Sequence, residues 1–132
     1  VEIGPGAFID NDFTGILTLP STLKKIGDSA FRECCFICPL NLPDGIEEIG
    51  SVCFENCRYL YGNLTLPSHL KKLGSAAFAK CSGLKGDLVI PKSLTVIPSD
   101  AFNACGLGGR LQLHDGITTI GNGAFGHNGF KG

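Results

Sequence analysis

A six-residue motif of the general form I-G-x-x-A-F recurs six times along the 132-residue chain and constrains the fold more than any other feature. The phenylalanines that close the six copies are Phe8, Phe31, Phe54, Phe78, Phe102 and Phe125. Their spacing is nearly constant at about 23–24 residues, a period typical of repeat architectures. A unit of this length cannot bury its own apolar side chains, whereas stacked units share one core. The period therefore predicts a solenoid in which equivalent side chains lie in register from coil to coil.

A second motif, L-x-L-P or a close variant, lies between the copies of the first and begins at Leu17, Leu40, Leu64, Leu88 and Leu111. Because side chains alternate along a strand, its first and third residues should point inward and its middle residue outward. The motif predicts short parallel strands, about 4.8 Å apart in neighbouring coils. The proline that follows has no amide hydrogen to donate and should end each strand.

The segments around the phenylalanines favour turns, and Ser75 and Ser99 are placed to cap short helical segments there. The expected fold is a solenoid of the α/β class by repeat architecture. It is a right-handed coil of about five and a half repeats. Short parallel β-strands make up most of it, joined by turns and by short helical or 3-10 segments.

The repeats form a single domain, because no linker-like segment interrupts them. Their approximate bounds are residues 1–19, 20–42, 43–66, 67–90, 91–113 and 114–132. Both ends of the chain fall within a repeat, and neither carries the polar cap that solenoids need for solubility. We expect the chain to be a fragment of a longer array, or its ends to self-associate end to end.

Together the two motifs resemble the BspA-like, or Treponema-type, leucine-rich repeat, whose pattern runs C-x-x-L-x-x-I-x-I-P-x-x-V-x-x-I-G-x-x-A-F. The resemblance covers residues 1–132. The units here carry one additional residue before the strand motif, often with a glycine at Gly15, Gly62, Gly86 and Gly109. The resemblance implies a leucine-rich repeat solenoid at the cell surface or secreted, with a role in adhesion to host proteins or other cells.

The balance of charge argues against two classes of partner. Eleven basic and twelve acidic residues leave a net charge of −1, whereas a nucleic-acid binder needs a basic excess to displace counterions. No apolar run approaches the roughly 20 residues of a membrane-spanning helix. We therefore expect neither nucleic-acid binding nor membrane insertion.

The seven cysteines fit structural positions. Cys34, Cys57, Cys81 and Cys105 share a column with Asn11 and Asn128, three residues after each phenylalanine. In leucine-rich repeats this column faces inward and its thiol or amide groups contact the backbone. Cys53 replaces a small alanine and should be buried. A single Cys35-x-x-Cys38 pair without a second pair is a weak metal or redox signal, so we expect no metal and no cofactor.

The sequence offers no catalytic residues. His69, His114 and His127 fall in three different columns, with no Ser or Cys at a consistent neighbouring position. A nucleophile must lie within hydrogen-bond reach of its base, and no pair satisfies that condition. We therefore expect a protein that is not an enzyme.

Charged pairs alternate in sign from coil to coil at the positions before the first motif. Lys24 and Lys25 are followed one repeat later by Glu47 and Glu48, and then by residues 71–72, which are both lysine. Opposite charges on neighbouring coils should favour the correct register, each exposed pair being worth roughly 0.2–1 kcal/mol.

The outward positions of the L-x-L motifs are the candidate binding face, because repeat proteins bind through such extended surfaces. Its candidate residues are Thr18, Asn41, Asn63, Thr65, Asp87, Val89, Arg110 and Gln112. These positions vary from coil to coil while the inward ones barely vary. We expect recognition of a protein partner, such as a host or cell-surface macromolecule. Alternatives are a structural spacer within a larger surface protein and a glycan-binding module.

Overall fold

The computed structural model describes residues 1–131, which form a parallel β-solenoid of about five turns. We number its coils 1 to 6 after the phenylalanine that each contains: Phe8, Phe31, Phe54, Phe78, Phe102 and Phe125. The ten strands are β1 Glu2–Ile3, β2 Lys25–Ile26, β3 Glu48–Ile49, β4 Gly62–Asn63, β5 Lys72–Leu73, β6 Leu84–Lys85, β7 Leu88–Val89, β8 Val96–Ile97, β9 Leu111–Gln112 and β10 Thr119–Ile120. The solenoid predicted from the period is confirmed.

The most regular sheet joins β1, β2, β3 and β5 in that order, all parallel. It includes the first residue of the I-G-x-x-A-F motif, so the expectation that the L-x-L motifs carry the main sheet is wrong. The glycine after each strand explains this placement. A Cβ at Gly74 would clash with the amide nitrogen of Ser51, so only a glycine column lets the coils approach closely enough. The Gly74 amide then donates to the carbonyl of Ile49 at 2.8 Å.

The sheet stops between coils 4 and 5, where a proline replaces that glycine. Gly50 and Gly121 donate their amide hydrogens to the carbonyls of Ile26 and Ile97 at 2.8 and 2.7 Å. Pro98 stands at the equivalent position in coil 5 and has no amide hydrogen. As a result β8 pairs with β10 in a separate two-stranded sheet and not with β5.

The segments around the phenylalanines are turns, and the expected helical or 3-10 segments are absent from residues 1–131. Two positions in each segment have left-handed backbone angles, as in Ser29 (φ 57°) and Glu33 (φ 58°). A right-handed helix cannot pass through such residues. Their amides donate to the next coil instead, at 2.9 Å to Ser51 and 2.8 Å to Glu55. Ser75 and Ser99 therefore cap no helix, and no helix in the described part could span a membrane.

The core is one continuous column of apolar side chains inside the coils. All six phenylalanine rings stack, with centroids 5.2–5.7 Å apart between neighbours and planes within 12°. The L-x-L motif of coil 3 contributes as predicted, since Leu64 and Leu66 are buried while Thr65 between them is exposed, whereas Leu113 of coil 5 is 49% exposed, contrary to the prediction. Inward positions of both motifs therefore build the core, and the outward positions are free for other contacts.

Candidate binding face

All eight candidate residues, which lie within the L-x-L motifs or directly before them, are exposed at the surface: Thr18, Asn41, Asn63, Thr65, Asp87, Val89, Arg110 and Gln112. Direct contacts connect those from coils 4 and 5. Val89 pairs with Gln112 in the β7–β9 ladder, and the Asp87 carboxylate accepts a hydrogen bond from the Arg110 amide at 2.8 Å. No hydrogen bond or strand pairing within residues 1–131 joins Thr18, Asn41, Asn63 or Thr65 to these four residues.

A groove of about 560 Å³ opens on this face between the L-x-L motifs of coils 3 and 4. Asn63 and Thr65 line one side, and Asp87, Val89 and Pro91 line the other. We call it the coil 3–4 groove. It brings four of the predicted residues around one depression, which the sequence pattern alone did not indicate.

The hydrogen-bonded ladder is interrupted at the groove, as it also is between coils 2 and 3, where Pro39 pairs with Tyr61 and the amides of residues 40–42 donate no hydrogen bond within the described residues. Asn63 pairs with Lys85 of coil 4. Their separation in sequence is two residues shorter than that of Phe54 and Phe78, which stack between the same two coils. Coil 4 thus has two more residues than this pairing requires before its L-x-L motif. The amides of residues 64–66 donate no hydrogen bond within the described residues. By contrast, Leu88 donates to the Arg110 carbonyl of coil 5 at 2.9 Å.

Apolar side chains lie exposed at the edge of the candidate face, and sequence reasoning did not place Ile37 and Tyr61 among them. Ile37 and Tyr61 are 55% and 49% exposed, and each precedes an L-x-L motif by three residues. Pro39 bridges to Tyr61 in the neighbouring coil, and Ile16 of coil 1 is 78% exposed. We call Ile16, Ile37, Pro39 and Tyr61 the apolar patch. The signal available in the sequence was large apolar residues at positions that hold Lys85 and Gly108 in later coils.

The cysteine column is structural, as predicted. Cys34, Cys57, Cys81 and Cys105 donate from Sγ to the carbonyl of the phenylalanine in the preceding coil, at 2.9, 2.9, 3.0 and 2.8 Å. Asn128 makes the same contact through Nδ2, at 2.7 Å. Burial raises the pKa of the Cys57 and Cys105 thiols to about 12 and that of Cys81 well above its usual range. These thiols therefore stay protonated and poorly nucleophilic at neutral pH.

The remaining cysteines also serve packing. Cys53 is fully buried, as expected, and burial raises its pKa. Cys38 is buried and its Sγ accepts the Leu17 amide hydrogen at 3.4 Å, while Cys35 is partly exposed. All seven cysteines are free thiols. Within residues 1–131 no three Cys, His, Asp or Glu side chains come together in a way that could hold a metal ion.

A Ser, a His and an Asp meet in one turn, contrary to the expectation that no histidine has such a neighbour. Ser68 Oγ donates to Asp44 Oδ2 at 2.6 Å and lies 3.2 Å from His69 Nδ1. The order differs from that of a catalytic triad, in which histidine separates serine from carboxylate. Here the carboxylate accepts the hydrogen bond from the serine hydroxyl directly. The Ser68 hydroxyl and amide lower the pKa of Asp44, and the Ser68 amide donates to Asp44 Oδ1 at 2.8 Å, which fastens neighbouring coils.

The predicted alternation of charge is confirmed on the outward side of β1, β2, β3 and β5, which we call the charged face. Lys25 pairs in register with Glu48, and their charged groups are 3.6 Å apart. Lys71 Nζ donates to Glu47 at 3.1 Å and lowers the pKa of that carboxyl. A second groove, of about 530 Å³, lies beside these charges. Because the side chains are exposed, each pair contributes little to stability.

Together the stacked coils and the exposed outward positions define a repeat scaffold, a parallel β-solenoid that displays side chains along its length. The chain belongs to the BspA type leucine-rich repeat family, whose model matches residues 1–131 in six copies. This confirms the resemblance drawn from the two motifs. No curated protein and no solved structure matches the chain.

Proposed function

We propose that this chain is a non-enzymatic recognition or adhesion module that binds a protein partner at the cell surface or after secretion. The apolar patch carries the proposal, because exposed apolar groups rimmed by polar residues mark interaction sites. Tyr61 would anchor the partner, since tyrosines are enriched among the residues that dominate binding energy. Polar neighbours such as Asn41 and Asn63 would form the rim.

Membership of the family and the architecture of the repeats both support a role in protein binding. Adhesion and protein binding are frequent roles among BspA-type repeats. Inward positions keep the same residue types in every coil, whereas the outward positions of the L-x-L motifs differ. A fixed core with a free display face allows a partner to be selected without loss of the fold.

Binding to a panel of extracellular and cell-surface proteins, measured by biolayer interferometry, tests the proposal. Tyr61→Ala and Ile37→Ala should each weaken binding about tenfold or more, since truncated anchors cost at least ~1–2 kcal/mol. Val96→Ala is the matched control, because Val96 is similarly exposed but lies on β8, beside the groove next to the charged face and away from the apolar patch. Equal losses in Tyr61→Ala and Val96→Ala would contradict the assignment. A chain that binds no protein would support the alternative of a structural spacer.

A further inference from the structure

We propose that the coil 3–4 groove binds a neutral saccharide unit, on a free glycan or on a glycoprotein. The inference goes beyond the proposed function, because neither Ile37 nor Tyr61 lines the groove and its lining has a different chemistry. An amide, a hydroxyl, a carboxylate and unpaired main-chain groups meet there beside apolar surface. Vicinal sugar hydroxyls both donate and accept hydrogen bonds, and this set of groups matches them.

Three side chains of the groove have hydrogen-bonding capacity to spare. The side-chain amide of Asn63 and the hydroxyl of Thr65 make no hydrogen bond within residues 1–131, and both residues are exposed. Asp87 uses Oδ1 for the Arg110 amide at 2.8 Å, which holds the carboxylate in place and leaves Oδ2 for a ligand. Asn63 Oδ1 lies over Gly86, where a Cβ would clash with it. Glycine at that position therefore keeps the Asn63 side chain at the groove.

The main chain adds further donors. Buried backbone amides are almost always paired, yet those of residues 64–66 donate to no group within the described residues, although Leu64 and Leu66 are buried. The two extra residues of coil 4 remove the partners that a continuous ladder would supply. Hydroxyl groups that reach into the groove can accept these hydrogen bonds in place of water.

Size and polarity distinguish the occupant. A volume of about 560 Å³ falls within the range typical of small-ligand sites. Val89 and Pro91 offer an apolar surface for the C–H face of a sugar ring. The Asp87 carboxylate disfavours acidic sugars by charge repulsion, which selects neutral ones.

The chain itself provides a matched control for the test. The motif L-T-L-P occurs at residues 17–20 and again at residues 64–67, so Thr18 and Thr65 hold equivalent positions and only Thr65 lines the groove. The chain would be screened against arrays of neutral, sialylated and sulfated oligosaccharides. Affinity for the best neutral oligosaccharide would then be measured by calorimetry. Thr65→Val and Asn63→Ala should each weaken it about tenfold, whereas Thr18→Val should leave it unchanged at equal melting temperature.

The source of the saccharide is resolved with glycoproteins measured before and after enzymatic removal of their glycans. Loss of binding on deglycosylation, with the same sensitivity to Thr65→Val, supports a protein-borne saccharide, and binding to the free oligosaccharide supports a free one. The inference is overturned if no neutral oligosaccharide binds at millimolar concentration, or if only acidic ones bind. It is overturned equally if Thr18→Val and Thr65→Val behave alike. Glycan-independent binding that Tyr61→Ala weakens would sustain the proposed function alone.

Discussion

Replacing Phe54 by leucine tests whether the stacked rings act as one column. Phe54 is fully buried, with ring centroids 5.3 Å from Phe31 and 5.4 Å from Phe78. Each stacked pair is worth about 0.5–1.5 kcal/mol beyond the burial of its area, so two lost pairs remove about 1–3 kcal/mol. Incomplete filling of the space left by the ring adds about 1 kcal/mol. We expect Phe54→Leu to lower the free energy of unfolding by about 2–4 kcal/mol.

The matched control is the same substitution at the first ring of the column. Phe8 is 38% exposed and its ring stacks on Phe31 alone, with centroids 5.2 Å apart. One lost stacking contact at a partly exposed ring predicts a loss of about 0.5–1.5 kcal/mol for Phe8→Leu. Both values would be measured by urea unfolding followed by circular dichroism. Equal losses for the two variants, or a loss below about 1 kcal/mol for Phe54→Leu, would refute the argument that stacking between coils stabilises the core.

Three further predictions follow from local geometry and charge. Val52 has a left-handed φ of 48°, a conformation that costs a β-branched residue about 1–2 kcal/mol. Val52→Gly should therefore raise the urea midpoint of unfolding, whereas Ser51→Gly should not, because Ser51 is not among the left-handed residues. Burial raises the pKa of Cys57 to about 12, above its value in the unfolded chain. The stability that the protonated thiol contributes is therefore complete below about pH 9 and is lost as the pH rises towards 12. Urea midpoints measured from pH 8 to 10.5 should consequently fall less steeply in Cys57→Ala than in the unchanged protein. The double change Glu47→Lys and Glu48→Lys should lower the melting temperature more at low salt than at high salt, because it puts like charges beside Lys25 and Lys71; a melting temperature independent of salt would contradict it.

The sequence predicted those features that equivalence between coils requires. Once the phenylalanines recur at a nearly constant interval, stacking of Phe31 on Phe54 follows from the period alone, and so does burial of Leu64 and Cys57. The same logic predicted the alternation of Lys25 and Glu48, because neighbouring coils place equivalent residues side by side. None of these inferences needed the path of the backbone between the repeated positions.

The location of the main sheet could not be obtained in that way. The L-x-L motifs have the alternation of a strand, yet the ladder forms where Gly27, Gly50 and Gly74 let adjacent backbones approach and stops at Pro98. The turns around the phenylalanines resemble helix starts in sequence. Residues with left-handed backbone angles, such as Glu33, instead donate their amide hydrogens to carbonyl groups of the next coil. Hydrogen bonding between coils, which is a long-range property, decided both outcomes.

By itself, the sequence determined the solenoid, its register and the columns that fill its core, because a repeated unit with one apolar face can be buried only by its copies. It also indicated which residues of the L-x-L motifs are exposed. Only the tertiary structure decided that Asn63, Thr65 and Asp87 surround one groove. The physical reason is that Asn63 pairs with Lys85 and not with Asp87, so that no ladder joins the L-x-L motifs of coils 3 and 4. Such an offset is set by how two coils pack and not by the residues of either one.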